Sequence, residues 1–356
     1  MNIKEKNMLD LASYRRELYV NPKLRFLFFE LTNKCNMKCK HCGSNCDGHN
    51  DTFLDKEIIF KTLNAVANKY DSEEIMICLT GGEPMLYRDI YDVIGQSKKL
   101  GFAVGITSNG TLIDDKAAIC LAKSGLDTIS ISIDGLETTH DNFRNCNGAY
   151  KKAMRGIKCL QNVDIEPQVT TVVNKTNINE LDELFEIVKK EDICSWRLTN
   201  VDPIGRARDN KELLLDKREL LKVFDFIKEK RFDNTNDIEV TYGCAHFATY
   251  DYERFIRNFY FQCEAGVRVT SIAANGDIVA CLDIERRKEL VQGNIYNDDF
   301  IDIWENKYVA FRQDWSDKSS LCKTCEHKKV CMGDSAHTWD YDNSEPLYCI
   351  NKLGEK

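Results

Sequence analysis

Three cysteines, Cys35, Cys39 and Cys42, fall within eight residues in the pattern C-x3-C-x2-C. Thiolates grouped so tightly on one loop are metal ligands, and their number decides the chemistry. Structural zinc wants four closed ligands, and His41, between two of the cysteines, has little freedom to supply the fourth. A [4Fe–4S] cluster ordinarily takes four cysteines, so three leave one iron open to chelate a substrate or cofactor. On spacing alone both metals stay open. Far downstream, Cys263-x12-Gly276-x4-Cys281 precedes Cys322-x2-Cys325-x5-Cys331 and then Cys349. Some 220 residues with ordinary cysteine use lie between the groups, so two metal-bearing regions share one scaffold. The other seven, Cys46, Cys78, Cys120, Cys146, Cys159, Cys194 and Cys244, stand apart. Of these, Cys78, Cys120 and Cys159 lie in apolar-periodic segments and are expected as small buried hydrophobes.

The elements that must position these residues are legible as well. Apolar, β-branched runs at 26–31, 75–79, 103–107, 128–133, 169–173 and 194–198 predict six strands. Helix-period segments at 55–70, 87–100, 114–123, 148–160 and 178–190 alternate with them. Several begin with capping residues and end in Gly, as at Gly101 and Gly125. This alternation predicts an α/β chain with a parallel sheet, either doubly wound or a partial barrel. The three-cysteine loop follows the first strand. Gly81-Gly82-Glu83-Pro84 follows the second, Ser108-Asn109-Gly110 the third and Asp134-Gly135 the fourth. Unusual residues therefore gather at the carboxyl ends of the strands, where parallel α/β folds build active sites.

Composition narrows the classes further. The chain has 356 residues, 43% hydrophobic and 30% charged, enough for two to three domains of ordinary globular character. Forty-nine basic against 57 acidic residues give a net charge of −8, which argues against wrapping nucleic acid or an anionic membrane. No apolar run follows the N-terminal charges, and no stretch approaches the ~18–20 apolar residues of a membrane span. A soluble, cytoplasmic protein without nucleic-acid or membrane partners is expected. In a reducing cytosol its sixteen cysteines point to metal ligation rather than disulfides.

Cys35-Asn36-Met37-Lys38-Cys39-Lys40-His41-Cys42, Gly81-Gly82-Glu83-Pro84 and Thr107-Ser108-Asn109-Gly110-Thr111-Leu112 together resemble the radical S-adenosylmethionine (SAM) enzymes. The resemblance covers roughly residues 23–210 and implies that family's partial (β/α)6 barrel. It implies that Cys35, Cys39 and Cys42 each hold one iron of a [4Fe–4S] cluster. The fourth iron would bind SAM, whose reductive cleavage yields a 5′-deoxyadenosyl radical. Gly81 and Gly82 would let backbone approach the methionine moiety, and Glu83 would pair with its ammonium. Ser132 and Arg144 resemble positions that hold the ribose or the SAM carboxylate, and Asn109 has similar standing. Against these stand simpler readings, Arg144 as a surface salt bridge and Asn109 as a turn former. Gly205-Arg206 resembles the segment near adenine.

The downstream cysteines resemble the SPASM extension of peptide-modifying radical SAM enzymes, over about residues 259–356. Cys322, Cys325, Cys331 and Cys349 would complete one auxiliary [4Fe–4S] cluster. Cys263 and Cys281 would serve a second, but where that family has a further cysteine this chain has Ser335. The alternatives are substitution by Asp334, His337 or Cys244, an iron left open, or no second cluster. The chain thus divides into an N-terminal extension (1–22), the barrel (23–210), a helical bridging region (211–258) and the cysteine-rich SPASM domain (259–356).

The resemblance implies oxidative modification of a precursor peptide, by thioether or carbon–carbon cross-linking, with a reducing partner such as flavodoxin or ferredoxin. The alternatives are formylglycine formation of the sulfatase-maturing type, modification of a small molecule, an iron–sulfur carrier and a zinc-dependent binding module. The sulfatase branch has an acidic base directly after the G-x4-C cysteine. Here Leu282 follows Cys281 and Asp283 comes one later, leaving Asp283 the candidate catalytic acid or base. Some 25 residues before the first strand are too few for a leader-binding winged helix, so a leader would dock elsewhere.

Overall fold

The computed structural model describes residues 3–48, 51–243 and 246–353. Its centre is one sheet of ten strands. Six are those the hydrophobic runs predict, shifted by a residue or two: β1 (Phe26–Glu30), β2 (Met76–Thr80), β3 (Ala103–Ser108), β4 (Thr128–Ser132), β5 (Pro167–Val173) and β6 (Ser195–Asn200). Four more extend the sheet, β7 (Glu239–Tyr242), β8 (Val269–Ile272), β9 (Asp277–Val279) and β10 (Gly293–Asn294). The order is β10-β9-β8-β1-β2-β3-β4-β5-β6-β7, with β8 and β1 to β7 all parallel and β9 and β10 antiparallel to their neighbours.

Two of those strands alter the expected layout. The region 211–258, expected as helical, also supplies β7, which pairs with β6. From the cysteine-rich region, β8 pairs in parallel with β1, Phe26 opposite Val269, so barrel and extension share one sheet. Both strands are only four residues long, too short for periodicity to stand out from loop.

The helices are α1 (Ile3–Val20), α2 (Lys56–Lys69), α3 (Ile90–Lys99), α4 (Asp115–Ser124), α5 (Glu137–Arg144), α6 (Ala149–Gln161), α7 (Leu181–Lys190), α8 (Lys217–Arg231), α9 (Thr249–Ile256) and α10 (Phe300–Asn306). Their starts follow capping chemistry. Asp55 accepts from Glu57 N–H, Asp114 from Ala117 N–H, and Asp216 with Glu219 forms a reciprocal capping box. α6 buries Ala153, Gly156, Ile157 and Leu160, and α7 buries Leu181, Leu184, Phe185 and Val188, each a one-sided stripe laid on the sheet. Beneath them Leu27, Phe29, Ile77, Leu79, Val104, Ile129, Ile131 and Val169 are buried. Each such side chain contributes about 1.5–3 kcal/mol of transfer free energy, which keeps the strand ends rigid. Cys159 lies in this core as expected, whereas Cys78 and Cys120 are half-buried. Among the described residues no helix is long and apolar enough to cross a membrane.

Candidate active site and the second cysteine region

The three-cysteine loop leaves the end of β1 and is clasped by backbone from two sides. Gly82 N–H donates to Thr32 O (2.7 Å) and Glu83 N–H to Lys34 O (2.9 Å). A Cβ on Gly82 would lie 2.2 Å from Lys34 O, and one on Gly81 2.5 Å from Thr32 O. These glycines are thus required for close approach of two backbones, the motif loop and the cysteine loop. The segment after β6 grips the other side. Gly205 adopts a left-handed φ of +50°, and its Cβ would meet Cys42 O at 2.2 Å. Arg206 donates from its backbone to Cys42 O (3.1 Å) and from Nε to Cys39 O (2.7 Å), while Asn210 reaches Lys40 O (3.1 Å).

The thiols so held belong to one small cluster with Met37, Ala149 and Cys146. Burial pushes the Cys35 thiol up to about 12, with Glu83, Cys39 and Cys42 adding repulsion. Cys42 sits low, at about 6, because Cys46 donates a hydrogen bond to it. Cys46, which spacing set apart, therefore belongs to the loop, and its C-x3-C distance from Cys42 was the available signal. His41 lies flat on Phe143, ring centroids 4.2 Å apart. Burial and the nearby Arg144 hold it neutral, near pKa 3. Zinc would gather its sulfurs about 3.8 Å apart at tetrahedral Zn–S lengths. Among the described residues no three His, Cys, Asp or Glu converge around a single ion. A four-iron cluster instead places each thiolate on a different iron, so three thiols spread over one loop fit it as a donor set.

Around the thiols the predicted SAM-binding residues are placed as follows. Glu83 is buried, and its carboxylate accepts from Ser108 Oγ (2.7 Å), Asn109 N–H (2.8 Å) and Met85 N–H (3.1 Å). Burial nonetheless raises its pKa. Asn109 ties its turn to the cysteine loop through Asn36 (2.8 Å) and accepts from Thr111. Arg144 is not a surface ion pair. It is buried at the end of α5, pairs with Asp134 (2.5 Å) and donates to Cys39 Sγ (3.7 Å). Burial alone would raise the Asp134 carboxyl, but the charged Arg144 beside it holds it below the usual carboxylate range. Ser132, half-buried, ends β4. The carboxyl ends of β1 to β4 and β6 thus meet at the cysteine loop.

Beside that loop opens a cavity of about 220 Å³. Gly43, Ser44 and Asn45 form one wall, Ile204, Gly205, Arg206, Arg208 and Asp209 a second, and Leu282 to Arg286 the third. Asp283 Oδ1 lies 3.5 Å from where a Cβ on Gly43 would sit, which brings its carboxylate against the cysteine loop. Ion pairs brace the walls, Arg208 with Glu285 (2.9 Å) and Arg286 with the buried Glu30 of β1 (3.1 Å). None of these four carried a sequence signal, because each partner is remote in the chain.

In the extension, Cys322, Cys331 and Cys349 are near enough to raise one another's pKa, and Cys325 acts on Cys322 in the same way. Burial pushes Cys349 up to about 12. Asn351 donates to Cys325 Sγ (3.3 Å). Cys263 and Cys281 both lie beside Tyr341, and Ala336 N–H donates to Cys263 Sγ (3.4 Å). Two of the candidate replacement ligands are engaged elsewhere. Asp334 accepts from Phe247 N–H (3.0 Å) and pairs with His246 (3.4 Å). His337 pairs with Asp202 (2.8 Å), which also holds His246 (2.6 Å). Cys244 lies outside the described residues. The carboxylates of Asp202 and Asp334 overcome burial and lift His246 to about 10. Asp202 follows β6, so this buried network joins barrel to extension.

The chain matches the Radical SAM superfamily over residues 29–188 and the iron-sulfur cluster-binding domain SPASM over 263–326. It is 28% identical to an AdoMet-dependent heme synthase of Methanosarcina barkeri, over 93% of this chain and 98% of that protein. It is 25% identical to a PqqA peptide cyclase of Rhizobium meliloti, over 85% of this chain and 80% of the other. In three dimensions it is similar to Streptococcus suis SuiB bound to its precursor peptide SuiA, with TM-score 0.76, 17% identity and coverage of 96% and 79%. At that identity the likeness is one of fold.

Proposed function

This chain is an enzyme of the Radical SAM superfamily with a SPASM extension, binding a [4Fe–4S] cluster with SAM and auxiliary iron–sulfur, and from that premise we propose that it oxidatively modifies a side chain of a peptide. The barrel unit (23–210) would hold its cluster on Cys35, Cys39 and Cys42, and the SPASM unit (259–356) would hold another on Cys322, Cys325, Cys331 and Cys349. When bound, these groups supply a 5′-deoxyadenosyl radical that abstracts hydrogen and an electron acceptor of tunable potential. The chain's own residues prepare that chemistry. Gly81, Gly82 and Gly205 shape the cysteine loop, and Arg144 donates to Cys39, offsetting thiolate charge where burial disfavours it. Glu83 has three donors on a carboxylate with about four acceptor sites, leaving one for the SAM ammonium. Asn109 and Ser132 complete the polar rim. Asp283, on the cavity wall against the cysteine loop, is placed to take a proton from the substrate.

The observation that carries this reading is the cavity. At about 220 Å³ it is smaller than the ~300–1,000 Å³ that encloses a whole small ligand, yet ample for one side chain of a larger molecule. Its walls come from the cysteine loop on one side and the segment after Cys281 on the other, so the inserted side chain lies between the two cysteine regions. The likeness to a PqqA peptide cyclase and to SuiB with its precursor peptide supports a peptide as that larger molecule. Reducing equivalents would come from a one-electron protein of the flavodoxin or ferredoxin class. A second reading, that a haem precursor inserts a peripheral chain instead, is favoured by the match to a heme synthase along nearly its whole length. Anaerobic reconstituted enzyme with dithionite, SAM and each candidate substrate separates them. Loss of two hydrogens from a peptide supports the first, and a mass change confined to an iron porphyrin supports the second. A peptide product of unchanged mass, or one gaining a methyl group, refutes oxidative modification.

A further inference from the structure

Helix α1 lies outside both matched regions, yet it packs along the helical turn Lys328–Cys331 that carries one of the extension's cysteines. Tyr19 OH donates to Met332 Sδ (3.7 Å), and Met8 packs with Phe247, Phe261 and Val330 in a cluster that Cys263 and Cys331 also join. On the same helix Arg15 is only 6% exposed. Its Nε and Nη1 are buried with no hydrogen-bond partner. Among the described residues it forms no ion pair. Asp314 pairs with the adjacent Arg16 (3.8 Å) and Asp334 with His246 (3.4 Å). Arg15 lines one small pocket together with Met8, Phe247, Phe261 and Val330, the residue that precedes Cys331.

A guanidinium stripped of water and left unpaired is among the costliest arrangements a protein can keep, so a buried Arg ordinarily faces an anion. A four-iron cluster on four thiolates is such an anion, and its potential responds to nearby charge and to hydrogen bonds on its sulfurs. We propose that Arg15 is the counter-charge of the cluster held by Cys322, Cys325, Cys331 and Cys349, a positioning residue that raises its reduction potential and makes α1 part of the electron-accepting site. This rests on the reading that those four cysteines hold a cluster. A positive charge close to the ligand sulfurs stabilises the reduced, more negative form over the oxidised one.

The test uses the full chain with Cys35, Cys39 and Cys42 replaced by Ala, so that only the extension's iron remains. In potentiometric titrations followed by electron paramagnetic resonance, Arg15→Met should lower the midpoint. At a fixed applied potential the reduced-to-oxidised ratio should fall at least tenfold, a shift of about 59 mV for one electron. Arg15→Lys, which keeps the charge, should recover most of it. Should Arg15→Met and Arg15→Gln shed iron while Arg15→Lys retains it, the requirement for charge is met by a second route. An unchanged midpoint with iron retained overturns the proposal, as does loss of iron from all three variants. If the parent protein with an intact Arg15 carries no iron, the cluster reading of the four cysteines fails instead.

Discussion

The two cysteine regions are assembled by opposite means. The barrel's three thiols lie within eight residues, and backbone clasps their loop, with Gly82 against Lys34 O, Gly205 against Cys42 O and Arg206 N–H on Cys42 O. The extension's six candidate ligands run from Cys263 to Cys349 through short turns, and a buried side-chain network, Asp334–His246–Asp202–His337, ties that region to the barrel. Backbone contacts depend on the near absence of side chains and so tolerate almost no substitution at their glycines. A rigid loop suits a cluster that must present an open iron in one orientation.

The sharpest way to break the comparison is to remove one region's thiols and look for the other's iron. Cys35, Cys39 and Cys42 to Ala should abolish SAM cleavage, measured as 5′-deoxyadenosine released with dithionite, while the folded protein keeps about four irons in the extension. Undiminished cleavage would sink the assignment of the loop.

Gly82→Ala tests the backbone clasp alone. The added methyl meets Lys34 O, so the loop must shift at about 1–3 kcal/mol or more, and barrel iron should be lost with extension iron retained. Gly95→Ala, in α3 with nothing within 4 Å of the new Cβ, is the control and should be neutral or stabilising by about 0.5–1 kcal/mol. Equal iron loss in both would show that the clasp is irrelevant.

Glu83→Ala strands Ser108 Oγ and Asn109 N–H as buried donors. It should lower stability to urea by about 2–4 kcal/mol as well as weaken SAM binding, with Glu83→Gln milder in both. Three internal hydrogen bonds make the fold suffer too. Wild-type stability in Glu83→Ala would disprove the clamp.

The smallest effect separates the regions by pH. His246 and His337 have folded pKa values raised above the unfolded ~6.5, His246 to about 10. Their pairing with Asp202 is therefore fully present below about pH 6.5 and is lost as pH rises toward 10. Asp202, held below its usual range by these histidines, contributes above about pH 4 and loses that contribution in acid. Asp202→Asn should remove a stabilisation on the order of 1–3 kcal/mol at pH 6 and flatten the alkaline decline in thermal unfolding midpoint. A decline that persists unchanged in the variant would place its cause outside the network.

What the sequence determined by itself was local. Hydrophobic period marked β1 to β6 and α2, α3, α4, α6 and α7 because each strand buries its own residues and each of those helices its own stripe. The cysteine loop, Gly81-Gly82-Glu83 and Asn109 stood out because their ligand spacing and turn chemistry are complete within a few residues. Only the tertiary structure decided what meets across the chain. It put β8 beside β1 and β7 beside β6, drew Cys46 onto Cys42, buried Arg144 against Asp134, and laid Arg15 near Cys331. No sequence period encodes such contacts. They are selected together when the sheet closes over one core, and burial then settles which charges find partners and which are left waiting for one.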